Sequence, residues 1–250
     1  MATARKVIPI KKITSWSFSR YNDYKQCPLK AKLKFIDKIN EPPNDAMARG
    51  DKIHKSAEAY IKGTLAKLPT ELKSFDKMLK DLKAQYKKRA LGMTVEETWA
   101  FRSDWSTTTW NDWNGCVLRI KVDCAYHAGP ESMVVVDWKT GKFRPEKNEE
   151  YVEQQELYAL GAMMAEEHVE EVQTKLVYTD AGIIFPSEAK DVEELTFNRG
   201  DISRLVKLWA ARTKPMLNDT KFAPRPNNNC RWCWYGQSKV AEGGPGLCKY

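Results

Sequence analysis

The hydrophobic positions of this chain change their spacing from zone to zone. From about Ser17 to Ala90 they recur at helical intervals. Ser17 is placed to cap a first helix, which breaks at Cys27-Pro28, and Pro28 suits the opening position of the next. Between Met47 and Ile61, the residues Ile53, Ala57, Tyr60 and Ile61 share one helical face, and Gly63 ends the run. Leu72, Phe75, Leu79, Leu82 and Tyr86 form a third stripe.

The middle of the chain reads differently. Thr94 to Phe101, Val117 to Ala125 and Met133 to Thr140 are predicted strands, and Gly129-Pro130 punctuates the last gap as a turn. The run Met133-Val134-Val135-Val136 is apolar enough for a sheet centre covered on both faces. A helix from about Asn148 to Glu167 and a strand from Thr174 to Thr179 follow, an order that predicts an α/β sheet flanked by helices. Strands near Gly182 to Phe185 and Glu193 to Phe197 lead into a helix from about Asp201 to Leu217. Beyond it, Pro224, Pro226, Asn227 to Asn229 and the glycines from Gly243 to Gly246 oppose regular structure. Trp232, Trp234, Tyr235 and three cysteines lie in that same stretch, which therefore needs a staple. The predicted organisation is a helical region over 1–92, an α/β core over 93–217, and a cysteine-bearing tail over 218–250 that packs back on the N-terminal region.

With 250 residues, 42% of them hydrophobic, the chain can bury a sizeable core. No apolar run approaches the roughly 18–20 residues of a membrane span, and Met1 to Lys12 is basic without an apolar centre. The expectation is a cytoplasmic protein (in the host cytoplasm if phage-encoded) with no membrane partner. A net charge of +8 favours a polyanionic partner. Six cysteines in such a compartment do not predict disulfides. Cys116 and Cys124, in strand-like sequence, read as buried packing thiols.

The chemical signal is Asp123 followed by Asp137-Trp138-Lys139 on neighbouring predicted strands. Asp137 and Lys139 are two apart and project from one face. Such a pair at the end of an apolar strand is costly unless it faces a cleft or a metal. Carboxylates hold Mg²⁺ or Mn²⁺ through oxygen, and a lysine can orient water or stabilise developing negative charge. An Asp-x-Lys alone is usually a solvent-exposed salt bridge.

Here the surrounding residues carry more. Val135-Val136-Asp137-Trp138-Lys139-Thr140-Gly141-Lys142 resembles the "vvDyKTGk" signature of RecB-type PD-(D/E)xK nucleases. Further elements follow in that family's order: Ser17, Ser19, Tyr24 and Cys27-Pro28 of an opening helix, Arg49-Gly50-x-x-x-His54, Asp123, and Gln154-x-x-x-Tyr158. The resemblance implies a restriction-endonuclease-like core, a central mixed sheet flanked by helices. It implies His54, Asp123, Asp137 and Trp138 at the metal, with Asp123, Asp137, Lys139, Gln154 and Tyr158 as the catalytic set and Arg49 as a nucleic-acid contact. One departure is Ile120, where the family often has glycine three residues before its second acid. Glu96 or Glu97 is a further acid upstream, with an ordinary strand surface as the plainer reading of either.

Cys230-x-x-Cys233, Cys248 and the distant Cys27 are similar to the iron–sulfur cysteines of AddB-type helicase–nucleases and CRISPR adaptation nucleases. The resemblance implies a [4Fe–4S] cluster, with zinc as the alternative, tying the two chain ends together. The gap of fourteen residues before Cys248 is longer than usual in that family.

The function expected is metal-dependent DNA cleavage, exonucleolytic, in recombination, repair or replication, on single-stranded or duplex ends. No G-x-x-x-x-G-K-[ST] string occurs, so strand opening falls to a helicase or recombination partner. Compact stand-alone nucleases of this kind are common in phages. The rival is a non-catalytic DNA-binding module on the same fold, and the intact His54, Asp123, Asp137, Lys139 set counts against it. A merely basic RNA-binding or assembly protein would leave the ordered motifs unexplained.

Overall fold

Among the described residues, four α-helices precede the sheet. α1 (Phe18–Gln26) starts where the Ser17 hydroxyl accepts the Arg20 N–H at 3.4 Å, and stops at the extended Cys27. Pro28 then opens α2 (Pro28–Ala31), which a single π-turn over Lys32–Ile36 prolongs. α3 (Asp45–Ile61) begins two residues ahead of the predicted Met47, because the Asn44 side chain caps it by accepting the Met47 N–H at 2.9 Å. The third predicted stripe divides. Its first part, Thr70–Phe75, is a 3₁₀ helix, which sets Leu72 and Phe75 on one side, and only then does α4 (Asp76–Lys87) run as an α-helix. The computed structural model describes residues 11–88, 92–188 and 195–250. Residues 1–10, Ala90 and Glu193–Glu194, on which expectations above fall, lie outside them.

Among the described residues, six strands form one mixed sheet. β1 (Thr94–Phe101), β2 (Leu118–His127) and β3 (Ser132–Lys139) pair antiparallel in turn. A parallel neighbour needs a crossover, and α5 (Asn148–Ala165) supplies it between β3 and β4 (Glu171–Tyr178). Two short strands, β5 (Ile183–Phe185) and β6 (Thr196–Asn198), pair with opposite ends of β4. α6 (Ile202–Asn218) follows.

The valine run sits at the sheet centre, buried on both faces as its composition predicts. Val134, Val136 and Trp138 pack with Ile53, Ala57 and Ile61 of α3 and Leu79 and Leu82 of α4. The intervening Val135 and Asp137 turn towards α5, which is buried around most of its circumference. Gly161 lets α5 approach closely: a Cβ there would stand 2.6 Å from Ile120 Cδ1 and 3.1 Å from Trp99.

By contact the chain divides into residues 43–209, which hold the sheet with α3, α4 and α5, and a second unit of residues 1–42 with 210–250. In the second unit the tail is bonded to the N-terminal helices. Tyr24 OH donates to Asp219 at 2.8 Å, Tyr235 OH to the Ile39 carbonyl at 2.7 Å, and Asn227 to the Gln26 carbonyl at 3.2 Å. The tail itself is two 3₁₀ turns, Cys230–Trp232 and Gln237–Glu242, closed by a bridge between Gly236 and Cys248. No helix among the described residues is long and apolar enough to cross a membrane.

Candidate active site

β3 carries Asp137 and Lys139 out of the sheet centre, and three other elements bring partners to them. The β2–β3 ladder stops at Cys124–Val136. Just past that point the Asp123 carboxylate takes over, its Oδ2 accepting the Trp138 N–H at 2.7 Å. Asp123 Oδ1 lies 2.9 Å from Nδ1 of His54, on α3. From α5, Tyr158 OH donates to Asp137 Oδ1 at 2.7 Å, and Gln154 Nε2 donates to Tyr158 OH at 2.6 Å. Lys139 Nζ stands 2.6 Å from Asp137 Oδ2. That ion pair does not meet hydrogen-bond geometry, so Oδ2 is buried and charge-compensated but accepts no hydrogen bond. Trp138 contributes its N–H here, while its indole belongs to the core beside α3 and α4.

Two nearly buried carboxylates, Asp123 and Asp137 (7% and 6% exposed), shape the electrostatics. Burial, and then the neighbouring Asp137, push Asp123 above the usual carboxylate range, against the bonds from His54 and the Trp138 N–H. Burial pulls His54 down, but Asp123 and Asp137 outweigh it and the net shift is upward. Tyr158 is driven well above its ordinary value by burial and by Asp137, which keeps it a proton donor to that carboxylate.

His54 and Asp123 offer donor atoms at a spacing that suits a hard divalent cation. Asp137 must close further on them to share it, because the three donor atoms do not all lie within 4.8 Å of one another. Asp137 Oδ2 is a buried oxygen that faces the Lys139 ammonium at 2.6 Å and accepts no hydrogen bond, which leaves it lone-pair capacity. The 2.9 Å between His54 Nδ1 and Asp123 Oδ1 is close to the edge of an octahedron with bonds of about 2.1 Å, which is about 3.0 Å.

Arg49 comes to the same end of β3, five residues before His54 on α3. Its guanidinium grips Asp180 through two bonds, 2.9 and 2.6 Å, and reaches the Thr140 carbonyl at 3.4 Å. Gly50 permits that approach, since a Cβ would sit 3.0 Å from Thr140 Oγ1. The Asp180 partner has no signature in the sequence.

Other features were also missed. Across β1–β2, Val95 pairs with Cys124 and Glu97 with Val122, while Glu96 between them has φ +64° and stands unpaired opposite Asp123. A left-handed glutamate inside a strand is strained, and strain of this kind collects at functional sites. It coincides with a loss of alternation, since Val122 to Ala125 are all buried in succession. The Glu96 carboxylate pairs with Lys121. On the β1–β2 connection, Trp113 is 79% exposed with Arg119 over its ring, and Trp110 also flanks that guanidinium. Four of the nine tryptophans fall within residues 99–113, a clustering the sequence does offer.

The other four candidate residues lie in the unit of residues 1–42 and 210–250. All six cysteines are free. Cys27 Sγ accepts the Arg225 N–H at 3.4 Å and Cys230 Sγ the Asn227 N–H at 3.3 Å, while the Tyr235 N–H bonds Cys233. Cys248 is fixed by its N–H to the Tyr235 carbonyl at 2.9 Å and by accepting the Gln237 N–H at 3.1 Å. Cys116 and Cys124 are buried elsewhere, and burial raises the Cys124 thiol to about 12.

A mixed sheet flanked by helices, with two acids and a lysine at the end of its central strands, is the architecture of a phosphodiester-cutting fold. The model of the PD-(D/E)XK nuclease superfamily matches residues 15–238, and the chain belongs to that superfamily. Its members are generally metal-dependent nucleases that typically use Mg²⁺ or Mn²⁺. Among solved structures, the chain is similar to SSO0001 at 15% identity, over 96% of this chain and 90% of that one, with a TM-score of 0.42. It is also similar to a protein named "Putative exonuclease" from Eubacterium rectale at 10% identity, over 90% and 88%, with a TM-score of 0.47. No curated protein matches the sequence.

The shifted pair has a consequence for stability. Asp123 and His54 both hold protons more tightly folded than unfolded, so the folded state binds more protons and stability falls as pH rises through their raised values. Asp123→Asn removes both contributions together. In EDTA, the unfolding free energy of the wild type minus that of Asp123→Asn is expected to decrease from about pH 4 to about pH 8. Denaturant titration at several pH values measures it, and a difference that grows with pH contradicts the assignment.

Proposed function

We propose that the chain is a RecB-type deoxyribonuclease that degrades DNA from single-stranded or exposed duplex ends. The observation that carries this reading is the pair of buried carboxylates at the end of the central strands, Asp123 on His54 and Asp137 on Lys139. His54, Asp123, Asp137 and the backbone at Trp138 would hold Mg²⁺ or Mn²⁺. The ion, when bound, neutralises charge developing on the phosphate and makes water a better nucleophile.

The remaining groups have protein-borne tasks. Tyr158, braced by Gln154, fixes the Asp137 carboxylate through a proton it does not release near neutral pH. Lys139, only partly buried, reaches the reacting phosphate or the attacking water by letting go of Asp137. Arg49 exchanges Asp180 for a substrate phosphate. Trp113 and Trp110 with Arg119 supply a stacking and cationic face suited to unpaired bases, which favours single-stranded ends. Arg119 precedes Asp123 by four residues on β2, roughly 13 Å of strand. Work in recombination, repair or replication with a strand-opening partner, in the cytoplasm of a host or of its own cell, suits such an enzyme.

A [4Fe–4S] cluster on Cys27, Cys230, Cys233 and Cys248 completes the proposal. Backbone N–H groups bond three of the sulfurs, as in sites that hold iron–sulfur or zinc, while burial raises the Cys233 thiol. Such a group would link the N-terminal helices to the tail.

Two experiments test these readings. With end-labelled single- and double-stranded DNA and Mn²⁺, Asp137→Ala and Asp123→Ala are expected to abolish cleavage while DNA binding survives. Lys139→Ala should slow the chemical step by on the order of 100-fold or more, with metal affinity by calorimetry unchanged. Wild-type rates in either aspartate variant would refute the site. For the tail, anaerobically purified protein should be brown and carry about four irons per chain. Cys230→Ser should lose the colour and Cys116→Ser keep it, whereas one zinc and no colour replaces the cluster with zinc, and four freely reactive thiols remove the staple.

A further inference from the structure

A second group of metal-ligand side chains lies at the opposite end of β2 from Arg119. His127 ends that strand, Glu166 caps the C-terminus of α5, and His168 follows in the connection to β4. Each offers a donor atom, and the three lie within 4.8 Å of one another. Both imidazoles direct Nε2 at a single carboxylate oxygen, Glu166 Oε2, His127 at 2.9 Å and His168 at 3.6 Å. The second distance is too long for a hydrogen bond. Tetrahedral zinc with bonds of about 2.0–2.1 Å separates its ligand atoms by about 3.3 Å, and the two spacings straddle that value. The rings stack at 5.2 Å and 16°, so the exposed His168 ring must turn out of the stack for both in-plane lone pairs to meet on one ion.

The arrangement is held from outside. Arg199 donates to the carbonyls of Met163, Glu166 and Val169 at 3.0, 2.8 and 2.8 Å, clamping the turn that presents Glu166 and His168. Gly92 lies against the His127 ring so closely that a Cβ would stand 1.8 Å from Cδ2, which fixes the ring on that side. A cleft of about 620 Å³ between these residues and Ala128–Pro130 leaves room for water or an exogenous ligand.

We infer that His127, Glu166 and His168 form a second, independent site for a late first-row divalent cation, best suited to Zn²⁺, with one coordination position open to the cleft. The donor set, two imidazoles and one carboxylate, selects such ions over Mg²⁺. The site stands four residues from Asp123 along β2, roughly 13 Å. It also stands eight residues from Tyr158 along α5, roughly 12 Å. An ion here ties together the far ends of the two elements that carry those residues. Its role is to fix the strand and helix behind the cutting site without entering the reaction.

The test uses the full chain, stripped with EDTA, desalted and titrated calorimetrically with ZnCl₂ in excess Mg²⁺. His168→Ala serves as the comparison because His168 is largely exposed and belongs to no other site, so folding and nuclease activity in Mg²⁺ are expected to match wild type. Zn²⁺ bound by the cysteines or the aspartates appears equally in both proteins. Wild type is expected to bind one more equivalent than His168→Ala, or to bind that equivalent at least about 100-fold more tightly, beyond the loss that outer partners cause. His127→Ala, checked for folding by circular dichroism, should lose the same equivalent. Equal stoichiometry and affinity in wild type and both variants would overturn the site.

Discussion

Two carboxylates set side by side in a dry interior repel each other, and each would rather be in water. Burying an ion costs several kcal/mol even after relaxation, while each buried side chain of the Met133–Val136 run returns roughly 1.5–3 kcal/mol. The apolar centre of β3 is therefore what makes the placement of Asp137 tolerable. Around it the fold supplies compensation group by group: His54 and the Trp138 N–H for Asp123, Tyr158 and Lys139 for Asp137. At one oxygen, Asp137 Oδ2, that compensation is the Lys139 ammonium with no hydrogen bond, a position a cation can take over.

This constraint also explains the local geometry. Asp123 can turn its carboxylate to the Trp138 N–H only where the β2–β3 ladder has ended. The neighbouring pairing with β1 is interrupted at the same level, by Glu96 in a left-handed conformation. Strand order, the end of one ladder and the break in the other all coincide at Asp123. Helix α5 takes part from the opposite side, and Gly161 lets its backbone come near enough for Tyr158 to reach Asp137.

Much of this was legible in the chain itself. A valine run ending in Asp-x-Lys announces a central strand that delivers charge to its end, and helical spacing places Gln154 and Tyr158 on one face. His54 could be joined to them only through the order of motifs, because 69 residues separate it from Asp123. What escaped was non-local or conformational. The positive φ at Glu96 follows from packing and not from residue type. The Arg49–Asp180 pair spans 131 residues. His127 and His168 are ordinary surface histidines until α5 and β2 bring them to one carboxylate. The 3₁₀ turn ahead of α4 keeps Leu72 and Phe75 in the core by tightening the helix, which a stripe of apolar residues does not reveal.

The central claim is that His54, Asp123 and Asp137 share one divalent ion. Crystals of the protein grown with Mn²⁺ and measured near the manganese absorption edge address it directly. The expected result is an anomalous peak in contact with the His54 ring, both aspartate carboxylates and no cysteine. An empty position there, at a Mn²⁺ concentration that supports DNA cleavage in solution, would contradict the account.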